Sequence, residues 1–329
     1  MNISNPKSLA GQFVALTALG LYCISSSIAA DVFPSKPIRF IVPFGAGGPG
    51  DAIGRLVGKK MSEGLGQTVV VDNRSGATTI IGTELAAKSV PDGYTMLLIS
   101  TTHTVNPSLF TKLPYDPIKD LIPVTLLMDT PFALVVHPSV QATTVAELVA
   151  LAKKSPGKLN YGSSGNGSSI HLTTELLMSA ANINMNHVPY KGSGPAFTDL
   201  IGGHIQLLFS STVSALPHVK SGKLRSIAVT SAKRAAALPD LPALAETYPG
   251  FESSSWFGLM LPAKTPKPIV DRIYKEAVTA VKAPDVNQAL ISQGATPGGN
   301  SQSAFSAFYL AEMKKWAGVI KKSGIKLDN

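Results

Sequence analysis

Pro43-Phe44-Gly45-Ala46-Gly47-Gly48-Pro49-Gly50-Asp51 lies between a short apolar run, Ile38–Pro43, and a segment, Asp51–Leu65, whose apolar residues Ile53, Leu56, Val57 and Met61 recur at helical spacing. The order is strand, glycine-rich loop, helix. Glycines let a chain turn tightly and bring consecutive N–H groups close to a ligand. At a helix N-terminus those donors and the helix dipole together favour an anion.

Outward from this loop the alternation continues. Val69–Asp72 reads as a second strand, Thr79–Ser89 as a helix and Tyr94–Ile99 as a third strand after the turn Pro91-Asp92-Gly93. Strand–helix alternation with short links predicts a parallel sheet with helices on both faces. Leu121–Leu127 and Phe132–His137 read as two further strands, and Thr144–Lys154 as a threonine-capped helix. A second series then begins with the strand Leu159–Tyr161, the loop Gly162–Gly167 and the helix Ser168–Ala181. Strands at Met185–Val188, Gln206–Phe209 and Leu224–Thr230 and a helix at Ala196–Ile201 complete it. Beyond a proline-rich connector come the strand Phe257–Leu261 and helices at Lys267–Lys282 and Ser301–Ser323.

The first thirty residues read as a secretory leader: Lys7, an apolar core over Leu9–Ile24, and small residues up to Ala30, so that the mature chain begins near Asp31. The core is shorter than the ~20 residues that span a bilayer. Tyr22 stands where a small residue precedes a lipidated cysteine, so Cys23, the only cysteine, is not expected to be acylated. The mature chain then has no disulfide and no cysteine-bound metal. Its ~300 residues exceed what a single core serves. We therefore expect two lobes, 31–130 with 231–329 and 131–230, joined by crossings near 129–132 and 229–232.

The formal net charge is +9, and only Lys7 is lost with the leader, which favours anionic ligands through the long-range field. Lysines and arginines are spread along the chain with no arginine-rich run, so no nucleic-acid partner is expected.

Two loops carry the functional reading. Phe44, Gly45, Ala46, Gly47, Gly48 and Asp51 form the first; Ser163, Ser164, Gly165, Asn166, Ser168 and Ser169 form the second, at the same place in its own series. Ligands of open α/β sheets bind beyond the carboxyl ends of the strands. Thr101, Thr102 and His103 follow the third strand, and Tyr190, Lys191 and Gly192 follow Met185–Val188, adding hydroxyls and one cation suited to a carboxylate.

Gly45, Gly47 and Gly50 satisfy G-x-G-x-x-G with Asp72 some 20 residues on, the dinucleotide pattern. The leader, Pro49 within the loop and the lack of a catalytic dyad oppose a nicotinamide-dependent oxidoreductase. A secreted α/β enzyme finds no H-E-x-x-H and no G-x-S-x-G, although His171 near Ser163 and Ser168 suggests a Ser–His pair. A sensor acting through a membrane kinase would use the same binding physics as a transport receptor. No cofactor is expected.

Many segments together resemble one family, the receptors of tripartite tricarboxylate transporters, or Bug family: PFGAGGPGD (43–51), VVVDNR (69–74), PDGYTMLL (91–98), LPYDPIKD (113–120), VVHPSV (135–140), PGKLNYGSSGNGSSIHL (156–172), HVPYKGSGPAFTDLIGG (187–203), SGKLRSIAVTSAKR (221–234) and WFGLMLPAKTP (256–266). The resemblance spans nearly the whole mature chain. It implies a two-lobed α/β periplasmic-binding-protein fold of the type II Venus flytrap kind, each lobe a mostly parallel sheet flanked by helices. It also implies a monomeric, non-enzymatic receptor that carries a small carboxylate to membrane subunits of such a transporter. Phe44–Gly48 and Asp51 match its first carboxylate loop, Ser163–Ser169 its second, and Tyr190–Gly192 a further cleft-facing stretch. The chain departs from the pattern at Gly45 and Gly50, where proline and threonine are common, at Thr78-Thr79, which replace a glycine pair, and at Ser210, where an aspartate is frequent.

Overall fold

The computed structural model describes residues 33–190, 192–235 and 238–324; the expected leader and Lys191 lie outside them. Strand β1 (Ile38–Val42), an apolar IRFIV buried along most of its length, leads through the glycine loop into α1 (Pro49–Leu65). Proline at the first helical position removes a donor that would lack a partner anyway. Gly66 ends the helix in the left-handed region (φ 68°), its N–H donating to the Ser62 carbonyl. Next come β2 (Val69–Asn73), α2 (Ile80–Ala87), β3 (Thr95–Ser100) and α3 (Thr101–Leu109).

Strand β4 (Leu121–Val136) is continuous where the sequence suggested two strands. Pro123 and Pro131 break the alternation, but register shifts at Pro123/Thr125 and Leu126/Met128 absorb the irregularity. In the second half, α4 (Val145–Lys154) opens on a Thr144–Glu147 capping box. It is followed by β5 (Asn160–Ser163), α5 (Ser169–Ala181), β6 (Asn186–Pro189), α6 (Ser193–Ile201), β7 (Leu207–Ser211), α7 (Thr212–Lys220) and β8 (Arg225–Val229). The chain ends with α8 (Leu244–Thr247), β9 (Ser254–Pro262), α9 (Lys267–Lys282), α10 (Pro284–Ser292), β10 (Thr296–Pro297) and α11 (Gln302–Ser323).

The strands run β2-β1-β3-β9-β4-β7-β5-β6, with β8 and β10 also paired to β4. Each flank is a parallel triplet, β2-β1-β3 and β6-β5-β7. The centre is antiparallel, because β4 and β9 pass between the halves in opposite directions. The sheet is thus mixed, and its parallel character resides in the flanks that carry the glycine loops.

Each half has its own apolar core. Phe40, Val57, Met96 and Leu259 centre the first; Leu134, Tyr161, Leu177 and Phe209 centre the second. Part of the connector expected with the first lobe packs on the second instead: Leu244 and Phe251 join its core, and Val229 N–H donates to the Pro242 carbonyl. The return crossing therefore falls near 252–254, where Ser253 N–H donates to the Thr230 carbonyl and Ser254 pairs with Pro131. Apolar anchors on the proline-rich connector, not its prolines, decide its side. Helix α11 also links the halves, as Trp316, Val319 and Ile320 pack with Val105 of α3 and Leu172 of α5.

Candidate functional site

The first loop is braced from within. Asp51, 5 % exposed, accepts the Gly47 N–H at 2.9 Å and the Asn73 side-chain amide at 3.0 Å. Arg55 Nε lies 3.0 Å from one of its oxygens and 2.9 Å from the other. The Arg55 contact first, then the Gly47 N–H, holds the carboxyl down at about 2. Asn73 also donates to the Phe44 carbonyl, 3.1 Å away. Asp51 therefore spends its charge on the loop and its own helix and presents none to a ligand. Gly47 sits at φ +80°, a conformation that favours glycine. At Gly50 a Cβ would come within 2.5 Å of the Phe44 ring, which in turn meets Phe257 edge-on at 5.8 Å. Gly45, Ala46 and Gly47 are exposed, and Gly48 caps α1 with no side-chain bond, so the donors of the first turn stay open.

Thr101, Thr102 and His103, which follow the third strand as expected, are the first turn of α3. Ser100 caps that helix, its hydroxyl accepting the Thr102 N–H at 3.2 Å. Ser100 N–H donates to His103 Nδ1 (3.1 Å), and the Thr83 hydroxyl lies 2.8 Å from Nε2. Because that hydroxyl donates to the Thr79 carbonyl at 2.8 Å, it accepts from Nε2–H, which fixes a neutral ring. Burial holds His103 down at about 3. Thr101 is buried, with its hydroxyl on the Ser254 carbonyl at 3.2 Å. Only Thr102 of the three is partly exposed.

The second loop is held by histidines. Ser163, fully buried, accepts the Gly165 N–H at 3.1 Å and lies 2.7 Å from His187 Nε2. Gly167 N–H donates to His171 Nδ1 at 3.1 Å, and Ser168 caps α5 by accepting the His171 N–H at 3.3 Å. The two imidazoles stack at 3.8 Å and 9°, and Tyr161 stacks on His187 at 4.9 Å. Ser164, Gly165, Ser168 and Ser169 are half-buried and Asn166 is exposed. The rival Ser–His pairing with His171 does not form; Ser163 meets His187 instead, and it is buried and offers no accessible nucleophile. His187 escaped sequence reading because it falls inside a strand pattern.

Tyr190 donates its N–H to the Ser163 carbonyl (3.1 Å) and its hydroxyl to Asp199 (2.6 Å); burial and then Asp199 push the phenol up to about 12. Gly192, at φ +111°, is the uncapped start of α6. Ser210 is 2 % exposed, and its hydroxyl donates to the Ser211 carbonyl at 3.2 Å.

The arrangement presents helix N-termini at the carboxyl ends of both parallel triplets: α1 and α3 in one half, α5, α6 and α7 in the other. That chemistry suits anionic oxygens. Asp72 of the dinucleotide pattern is engaged by Arg39 Nε (2.6 Å) and Arg74 Nε (2.9 Å), so it is not free for a ribose. Among the described residues no group of three or more His, Cys, Asp or Glu is placed to hold a metal.

A mixed sheet folded into two halves, each ending in glycine-rich helix starts, defines an α/β periplasmic binding protein. The chain belongs to the tripartite tricarboxylate transporter family receptors, TctC, whose family model matches residues 53–325. It is 37 % identical over 330 residues to Protein BugT of Bordetella pertussis, covering 99 % of this chain and 100 % of BugT. It is similar to the periplasmic binding protein BugD (34 % identity, TM-score 0.74) and to Rpa4515 of R. palustris with adipate (35 %, TM-score 0.77). Each of these two similarities covers 90 % of this chain and 100 % of the other. The family is one of periplasmic solute-binding receptors and not of enzymes. Among the described residues no helix is long and apolar enough to cross a membrane.

Proposed function

We propose that the chain, after removal of its leader near Asp31, is a monomeric periplasmic receptor for a small carboxylate that lacks an ammonium group. Phe44–Gly48 and Ser163–Ser169 grip the carboxylate oxygens through backbone N–H groups, with Thr102, Tyr190 and Gly192 beside them. The observation that carries this reading is the fate of the acids. Asp51 is paired with Arg55, Asp199 accepts the Tyr190 hydroxyl, and position 210 is a serine. An amino acid would bring an ammonium with no anionic partner among these described residues, a costly burial. Rpa4515 with adipate supports the same ligand class.

The two halves close on the ligand by bending at β4 near 129–132 and at the return near 252–254, in the hinge mode of periplasmic receptors. The liganded form then docks on the membrane subunits of a tripartite tricarboxylate-type transporter. A thermal-shift panel of dicarboxylates, their 2-amino counterparts, sugars and nicotinamide nucleotides tests this on the chain from Asp31. A ligand at 100 times its Kd adds about 2.7 kcal/mol to the folded state. Selective stabilisation by a dicarboxylate is expected; stabilisation by nicotinamide nucleotides alone would overturn the reading.

A further inference from the structure

The second loop is tied to two imidazoles lying beneath it. Gly167 N–H reaches His171 Nδ1, so that nitrogen is an unprotonated acceptor and the ring carries its hydrogen on Nε2, facing Glu175 Oε1 at 3.5 Å. Glu175 also accepts the Tyr161 hydroxyl at 2.7 Å. His187 holds the other end of the loop through Ser163. The rings are parallel and 3.8 Å apart, so a proton on one opposes a proton on the other. Among the described residues the titratable groups facing the pair are Glu175 on α5 and Tyr161 on β5, and of these two the carboxylate is the one able to stabilise an imidazolium there.

We propose that His171 and His187 are positioning residues for the Ser163–Ser168 loop, that His171 does this only while its Nδ1 is unprotonated, and that carboxylate affinity therefore falls when that nitrogen takes up a proton. This rests on the reading of that loop as a carboxylate grip. Protonation at His171 Nδ1 sets one N–H against another, and Gly167 must turn away. The loop N–H groups then lose the arrangement that converges on an anion. Burial and the neighbouring His171 hold His187 down at about 4, which keeps its ring neutral at pH 7.

The test uses the chain from Asp31 and two readouts. In the ligand-free protein, NMR follows the Gly167 amide and the His171 ring nitrogens from pH 8 downward. The Nε2–H form is expected at pH 8, and the Gly167 amide shifts with the ring's titration. His171→Asn keeps an acceptor at the Nδ1 position without a titrating group, so its Gly167 amide stays fixed as pH falls. Adipate affinity is measured alongside by calorimetry. At pH 7.5 His171→Asn is expected to bind within about twofold of wild type and His171→Ala about tenfold more weakly, roughly one hydrogen bond's worth. Where His171 Nδ1 protonates, wild type loses up to about tenfold in affinity per pH unit that His171→Asn does not lose, as one linked proton requires. If His171→Asn does not fold, His187→Gln, whose amide can donate to Ser163 or accept from it, serves as a second variant, and its Gly167 amide is expected still to follow His171. A Gly167 amide indifferent to His171 titration, or identical pH profiles in wild type and His171→Asn, overturns the positioning role. Failure of wild type to bind adipate at pH 7.5 instead counts against the carboxylate reading and removes the ligand half of the proposal, while the NMR result still decides the coupling.

Discussion

Replacing Asp51 by Asn should loosen the first loop without unfolding the protein. An asparagine oxygen can still accept the Gly47 N–H, but its amide then confronts a donor, either the Asn73 side chain or Arg55 Nε. The change removes one charge-assisted bond and sets two donors face to face. Such bonds contribute about 1.5–3 kcal/mol, and Arg55 is half-exposed, so solvent screening brings the expected loss to about 1–2 kcal/mol. For a chain of this size that is a fall of about 1.5–3 °C in Tm. The pH dependence gives an independent check. The folded carboxyl is depressed from 3.8 to about 2, so its contribution is complete above pH 3.8 and is lost as pH falls through about 2. Asp51→Asn should abolish that part of the acid-induced loss, and carboxylate affinity should drop about tenfold as the loop relaxes. Urea denaturation of both proteins between pH 7 and pH 2.5, with calorimetric titration at pH 7, measures all three. Equal stability at pH 7, or an acid profile parallel to wild type, would refute the bracing role.

His103 stays neutral in the fold down to about pH 3 whereas an unfolded histidine protonates near 6.5, so stability should fall by up to about 1.4 kcal/mol per pH unit below 6.5. His103→Gln should flatten that slope in denaturation series run at pH 7, 6 and 5. Gly50→Thr, which moves toward the common family residue, should destabilise by about 1–3 kcal/mol because its Cβ meets the Phe44 ring; a thermal melt at or above wild type would show that the ring gives way freely. Thr144→Ala deletes the cap of α4 and should cost about 0.5–2 kcal/mol by urea titration with carboxylate affinity unchanged.

The flanks of the sheet were legible because their signals are local. Ile38–Val42 and the amphipathic α1 announce themselves by periodicity, and α4 by its capping box. What escaped depends on partners distant in sequence. The sequence places Thr101–His103 only beyond the third strand, because α3 is short and carries Pro107; Ser100, His103 and Thr83 make it a helix start through a contact with α2. Helix α7 was hidden in the same way by Pro217. The connector 231–253 was assigned by composition, yet Leu244 and Phe251 find their core in the second half. At the site, the positions of both loops were readable, but their bracing was not. Asn73, Arg55 and His187 look like ordinary strand and helix residues until the fold brings them beneath the glycines.

The measurement that bears most directly on the central claim is calorimetric titration of the chain from Asp31 with adipate and, in parallel, with 2-aminoadipate. The two ligands differ only in the ammonium for which the described site residues offer no free anion. The account predicts that adipate binds at least about tenfold more tightly, a difference of about 1.4 kcal/mol. Equal affinities, or a preference for the amino acid, would contradict it.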